Sequence, residues 1–277
     1  MKKTAPFLIL AALLLCLALP AAAQRKLKKS KPDLNEIKAT TLDPESPYYF
    51  PRLVKIYNLN DTTMTPEQYR HYYLGYMFQE DYDPYRESQY AERTDSLLQL
   101  NREAVAKNDS TLKALVAKKE SPFELDVLNR ELQLASLKDR REIVKNADLA
   151  LKDNPFDLNT IYLLNRVLKD MKKDMSAKIW DYRLENLLGA ILSTGTGLDK
   201  ENAFYVISPG HEYVVLELMG YRPVAYSDEY FNEGYDYIEV EPIDPRRKRA
   251  DTPKGFFFNV QEPLRQYSIK YPDAYSE

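Results

Sequence analysis

The sequence predicts an α+β fold, mainly α, in which irregular tetratricopeptide-like helical hairpins are followed by a small antiparallel β-meander packed on the helices. Three observations predict it. Apolar residues keep helical spacing through most of positions 47–198. A proline-phenylalanine-acid-leucine motif recurs after thirty-three residues, Ser121 to Leu125 and again Asn154 to Leu158. From Ala203 onward strand-like alternation replaces helical spacing.

The chain opens with Lys2 and Lys3, an apolar run from Phe7 to Leu19, and Pro20-Ala21-Ala22-Ala23 before Gln24. That is the pattern of a secretory leader over residues 1–23, cleaved near Ala23 and too short to span a membrane. Cys16 sits inside the apolar run behind Leu15, a poor context for acylation, so plain cleavage is favoured over a lipid anchor. Residues 24–46 hold the basic run Arg25 to Lys31 with Pro32 and Pro44, and read as a solvated, proline-rich tether. Residues 47–277 are then expected to form one domain, helical to 198 and β-rich from 199.

Ten of the chain's 22 tyrosines lie between Tyr48 and Tyr90. Within this stretch Thr65-Pro66-Glu67-Gln68 is a helix start, with Thr65 as cap, Pro66 in the first turn and Gln68 closing a capping box. Tyr69, Tyr72, Tyr73 and Tyr76 then share one helix face, with Leu74, Met77 and Phe78 on another. A helix apolar on most sides must be covered, either by its own core or by a ligand in an aromatic groove. The connector from Gln79 to Arg86 carries Glu80, Asp81 and Asp83 without the ligand order of a calcium loop. Polar helices follow from Glu87 to about Lys119.

In each copy of the repeat the first residue would cap a helix with proline behind it. Between the copies, Ile143, Ala147, Ala150 and Leu151 form one face of a return helix. Such hairpins stack either into a binding solenoid or into a plain bundle. Trp180 reads as a core anchor of the next helix, about Asp174 to Leu192. Ser193 to Gly197 ends that helix; it lacks the lysine of a phosphate loop. Strands are expected over Phe204 to Ser208, Glu212 to Met219, Tyr235 to Glu241 and Gly255 to Val260, with Pro209-Gly210 as a tight turn. The basic stretch between Pro245 and Pro253 reads as a charged hairpin loop, and Glu262 to Glu277 as a tail returning over the surface.

Several chemistries are excluded or disfavoured. After leader removal no cysteine remains, which removes thiol nucleophiles, thiolate metal sites and disulfides. Thirty-seven basic against 42 acidic side chains leave a net −5, with no general attraction for nucleic acid. No later apolar run is long enough for a transmembrane segment. Only two histidines occur, His71 and His211, and neither belongs to a zinc-protease motif or accompanies a nucleophile elbow. No catalytic set, metal site or cofactor is expected.

The run Tyr48-Tyr49-Phe50-Pro51-Arg52-Leu53, then D-T-T-x-T-x-E-Q-Y-R-H-x-Y-x-G-Y from Asp61 to Tyr76, then Q-E-D-Y-x-P-Y-R from Gln79, resembles domain-of-unknown-function family 4919, a secreted family found mainly in Bacteroides and relatives. The resemblance covers roughly Pro47 to the C-terminal region. It implies an envelope or secreted location and assigns no activity. The expectation is a periplasmic or secreted, non-catalytic binding or scaffold protein, its partner an envelope protein, peptide or glycan. The candidate ligand-binding residues are Tyr69, Arg70, His71, Tyr72, Tyr73, Tyr76, Tyr82 and Tyr85. The alternative is a hydrolase of an envelope polymer, using His71 with Glu67, Glu80 or Asp81.

Overall fold

Asp33 accepts hydrogen bonds from the amides of Asn35 and Glu36, and this cap starts the first helix of a computed structural model of the chain. The structure describes residues 27–59, 62–86, 88–90, 93, 136–244, 246 and 250–272. The leader, all but residues 88–90 and 93 of the polar helices expected to about Lys119, and the first repeat copy, Ser121 to Leu125, lie outside the described residues.

Helix α1 (Leu34–Leu42) falls where a tether was expected. Pro32 and Pro44 bracket it without interrupting it, and Ile37 and Thr41 are buried against α3. Helix α2 (Phe50–Tyr57) carries Pro51 in its first turn, where the missing amide costs little. Helix α3 (Pro66–Gly75) begins with the expected reciprocal capping box between Thr65 and Gln68, and a short 3₁₀ turn (Tyr76–Phe78) continues it. Gly75 lets α1 pass close: a methyl group there would lie 2.5 Å from Thr41 Cγ2.

The helices α4 (Leu137–Asp153), α5 (Leu158–Asp170) and α6 (Asp174–Leu192) pack consecutively through short connections, giving two antiparallel hairpins. The expected face of α4 is buried at Ile143, Ala147, Ala150 and Leu151. The second motif copy starts its helix later than expected. Asp157 is the cap of α5, while Asn154 closes α4 and folds Pro155-Phe156 into a turn by accepting from the Phe156 amide. Trp180 is half-buried and stacks on the Arg183 guanidinium, which also covers Tyr57.

The sheet runs in the order β1-β4-β3-β2. Strands β2 (Tyr221–Ser227), β3 (Tyr235–Pro242) and β4 (Gly255–Asn259) form the antiparallel meander, and β1 (Phe204–Tyr205) joins β4 in parallel. The segment from Glu212 to Met219, expected as a strand, is instead helix α7 (Gly210–Leu218). Its valine run is buried on several sides, so alternation and continuous burial gave the same letters. Pro209-Gly210 is therefore a helix start. Strand β2, with exposed Val224 and Tyr226 and a bulge after Pro223, lacked the alternation that marks a half-buried strand. Gly197, at φ +71°, lets the chain leave α6 under the rings of Phe204 and Phe256. Helix α8 (Gln261–Lys270) returns the C-terminal segment across the surface, where Lys270 binds the carbonyls of Glu80 and Tyr82.

One hydrophobic core joins the helices and the sheet. It runs from Ile37 and Leu53 through the tyrosines of α3 to Phe156, Leu187, Val215 and Phe258. The chain is α+β and mainly α.

Candidate functional site

The tyrosine face of α3 is core. Tyr69, Tyr72, Tyr73, Tyr76 and Tyr82 are all buried, with ring contacts from Tyr72 to Phe50, Tyr57 and Phe156. Of the two expectations for this face, an aromatic groove and a covered core, the structure takes the second. Tyr85 alone among the expected aromatic residues is exposed, at 48 %, and leans edge-on against Tyr267.

The polar hydroxyls explain why these rings are tyrosine. Tyr73 Oη accepts from the Ile207 amide at 3.2 Å and lies 2.8 Å from His211 Nδ1. The imidazole donates to the backbone of Phe156, so the neutral ring carries its proton on Nε2 and its Nδ1 accepts from the Tyr73 hydroxyl. Burial pulls the His211 imidazole down from 6.5 to about 4. It is a neutral structural histidine. Burial likewise pushes the Tyr73 and Tyr82 phenols upward.

A second buried polar group sits between α7 and the sheet. Glu212 hydrogen-bonds Asp236, whose carboxylate also accepts from the Tyr226 hydroxyl at 2.8 Å. Burial, then the Asp236 charge, holds the Glu212 carboxyl well above the usual range, so it carries the shared proton.

His71 is the residue that opens onto a cleft. That cleft, about 300 Å³, lies between residues 27–37 and α3, and its lining includes Lys28, Lys31, Glu36, Glu67, Arg70 and His71. Helical geometry brings His71 Nδ1 to the Glu67 carbonyl one turn earlier, at 3.0 Å; a carbonyl only accepts, so Nδ1 carries a proton. Tyr48 stacks on the ring at 3.8 Å, nearly parallel. Although His71 is only 4 % exposed, its Nε2 has no hydrogen-bond partner. The nearest charged oxygen is Glu36 Oε2, at 3.6 Å, and Glu67 Oε1 lies 3.7 Å from Nδ1. The fields of the two carboxylates converge here. After burial itself, Glu67 and then Glu36 push the Tyr48 phenol upward.

Arg70 is a neighbour with a different job. Its guanidinium donates to the carbonyl and hydroxyl of Ser193 and to the Ser30 carbonyl, tying residues 27–33 to the end of α6. Burial lowers it, against the pull of Glu67 and Glu36. The other carboxylates considered for a hydrolase lie elsewhere: Asp81 pairs with Arg86, and the Glu80 carbonyl receives Lys270. Glu36, which completes the site, was missed because it falls in the segment read as a tether. Its only sequence signal was the Asp33-x-x-Glu36 spacing of a capped helix start.

A second cleft, about 370 Å³, flanks the start of α1 between Lys31, Asn35, Tyr205, Asn259 and Glu262. Among the described residues no cluster of three or more histidine, cysteine or acidic side chains has the geometry to hold a metal, and no helix is long and apolar enough to cross a membrane.

Compared with known proteins, the chain matches one family model, Domain of unknown function (DUF4919), over residues 35–140 and 130–269. Neither the curated proteins nor the solved structures give a match.

Proposed function

The chain belongs to the DUF4919 family of unknown function, and from that premise we propose that it is a non-catalytic binding or scaffold protein of the cell envelope that works through the His71 cleft. The leader pattern at residues 1–23 and the cysteine-free remainder support delivery to the periplasm or beyond. One observation carries the binding role: a buried imidazole whose free Nε2 faces a cleft edged by two half-exposed carboxylates, at a cost the fold gains nothing from. The other histidine and the neighbouring arginine are spent internally, His211 on Tyr73 and Arg70 on Ser193 and Ser30.

The second reading is a hydrolase of an envelope polymer. It is favoured by the way His71 is held, with Nδ1–H anchored on a carbonyl and Nε2 left without a partner in a residue that lines the cleft. Two histidines make the test direct. In the tag-free chain from Gln24, labelled histidine gives two NMR signals, with internal His211 as the reference. A stoichiometric partner or glycan from a periplasmic extract that moves the His71 signal supports binding. Turnover of an envelope polymer that disappears in a folded His71→Gln variant overturns it in favour of the hydrolase.

A further inference from the structure

We propose that the His71 cleft takes a small zwitterion, such as a free dipeptide, with its primary ammonium among His71 Nε2, Glu36 and Glu67 and its carboxylate toward Lys28 and Lys31. This rests on the cleft being the binding site, and names what the cleft binds.

The ammonium end follows from a mismatch of donors and acceptors. With the proton on Nδ1, the atoms that face each other across the α1–α3 seam are Nε2 and Glu36 Oε2, both acceptors, 3.6 Å apart. Nothing between them donates. A tetrahedral nitrogen giving about 2.8 Å hydrogen bonds to two acceptors spans about 4.5 Å between them. The gap must therefore open by about 1 Å. The Glu36 side chain is 51 % exposed and sits on the cleft edge, so it can swing outward, whereas His71 is fixed by Glu67 and Tyr48. Glu67, 46 % exposed, supplies the second negative charge beside the same ring. A primary ammonium has three donors and no acceptor, which fits a seat made only of acceptors.

The anionic end follows from the remaining charges. Asp33 also lines the cleft, but it is engaged in capping α1, and Arg70 is engaged by Ser193 and Ser30. That leaves Lys28 and Lys31 against Glu36 and Glu67, two positive and two negative side chains on one small cleft. A bare cation would be repelled by the lysines, and an anion by the carboxylates. A volume of about 300 Å³ is at the small end of ligand sites, matching a ligand of dipeptide size.

The test uses the tag-free chain from Gln24, with calorimetry and the two histidine NMR signals, and three probes: Ala-Ala, its N-acetyl form and its C-terminal amide. The expected result is that Ala-Ala moves the His71 signal and leaves His211 in place. N-acetylation should weaken binding at least about tenfold, since charge-assisted hydrogen bonds are lost, while amidation should weaken it only about two- to fivefold, since the lysines are exposed. Glu36→Gln, a change at a half-exposed site, should weaken Ala-Ala about tenfold with the melting temperature unchanged. Equal binding of the N-acetyl form, or tighter binding of the amide, overturns the zwitterion. If Ala-Ala leaves His71 unmoved at about 10 mM while the neutral polyol erythritol moves it, the ligand class is wrong and the cleft remains a binding site. If neither moves it, the reading of the cleft as a binding site falls as well.

Discussion

Replacing Tyr73 by phenylalanine removes one oxygen atom and should be among the most damaging conservative changes in the chain. Tyr73 is fully buried, and its hydroxyl is the partner of two groups that have no route to water, the Ile207 amide at 3.2 Å and His211 Nδ1 at 2.8 Å. Each buried group left without its partner costs about 1–3 kcal/mol, so the pair implies a loss of about 2–6 kcal/mol. For a chain of this size that is a fall of roughly 5–15 °C in melting temperature. His211 cannot escape by changing tautomer, because its other nitrogen faces the Phe156 backbone. The measurement is urea unfolding at pH 7.5 for Tyr73→Phe beside Tyr76→Phe, whose hydroxyl makes only 3.3 Å contacts, with the Asp81 carbonyl and Arg86, near the surface. Tyr76→Phe should cost under about 1 kcal/mol. A second arm tests the cause. In a His211→Leu background one of the two stranded groups is gone, so the Tyr73→Phe penalty should shrink by about 1 kcal/mol or more. A Tyr73→Phe cost below about 0.5 kcal/mol, or one unchanged by His211→Leu, would refute the assigned network.

Three further outcomes follow from the same interior. Gly75→Ala places a methyl group against Thr41, so α1 should loosen at a cost of about 1–3 kcal/mol, and Thr41→Ser should recover part of it; hydrogen exchange over residues 34–42 reads the effect directly. His211 is neutral in the fold down to about pH 4 but charges in the unfolded chain below about 6.5, so stability should be full above pH 6.5 and fall by about 3 kcal/mol toward pH 4, and a His211→Gln variant should lose that slope in urea titrations. Glu212 has the opposite sign: its raised carboxyl stabilises the fold at low pH and this contribution is lost as pH rises, so Glu212→Gln should raise the melting temperature at pH 8 and leave it unchanged near pH 4.

What could be read from the sequence was local. The capping box at Thr65 and Gln68, the shared face of the tyrosines and the apolar face of α4 are rules acting within one turn or two, and they hold. The failures came where one pattern has two meanings. Prolines spaced as Pro32 and Pro44 read as breakers, yet they leave room for the nine residues of α1. The Tyr213-Val214-Val215 run reads as strand, yet Ser208-Pro209-Gly210 starts a helix whose sides are almost all covered. The site was half legible for the same reason. His71 and Glu67 are one helical turn apart and visible together, whereas Glu36 reaches them only by the docking of α1 on α3, through the gap that Gly75 leaves.

The crowding of tyrosine invites a ligand, and the structure supplies another cause. Several of the phenols grip backbone atoms of irregular connections far away in sequence. Tyr57 donates to the Pro155 carbonyl, Tyr82 to the Ile207 carbonyl and Tyr182 to the Met64 carbonyl, while Tyr73 takes the Ile207 amide. Ile207 is thus held at both its N–H and its C=O by side chains from the region around α3, just where the chain passes from a two-residue strand into α7. Connections without regular partners cannot be buried unless something satisfies their peptide groups. Phenylalanine would fill the same volume and leave them wanting; serine would reach too short a distance and bury no area. A ring with a hydroxyl tip does both, so the density of tyrosine measures how much irregular backbone this core encloses. The functional question therefore moves from the rings to a buried polar atom of α3 itself that the network leaves unserved, Nε2 of His71.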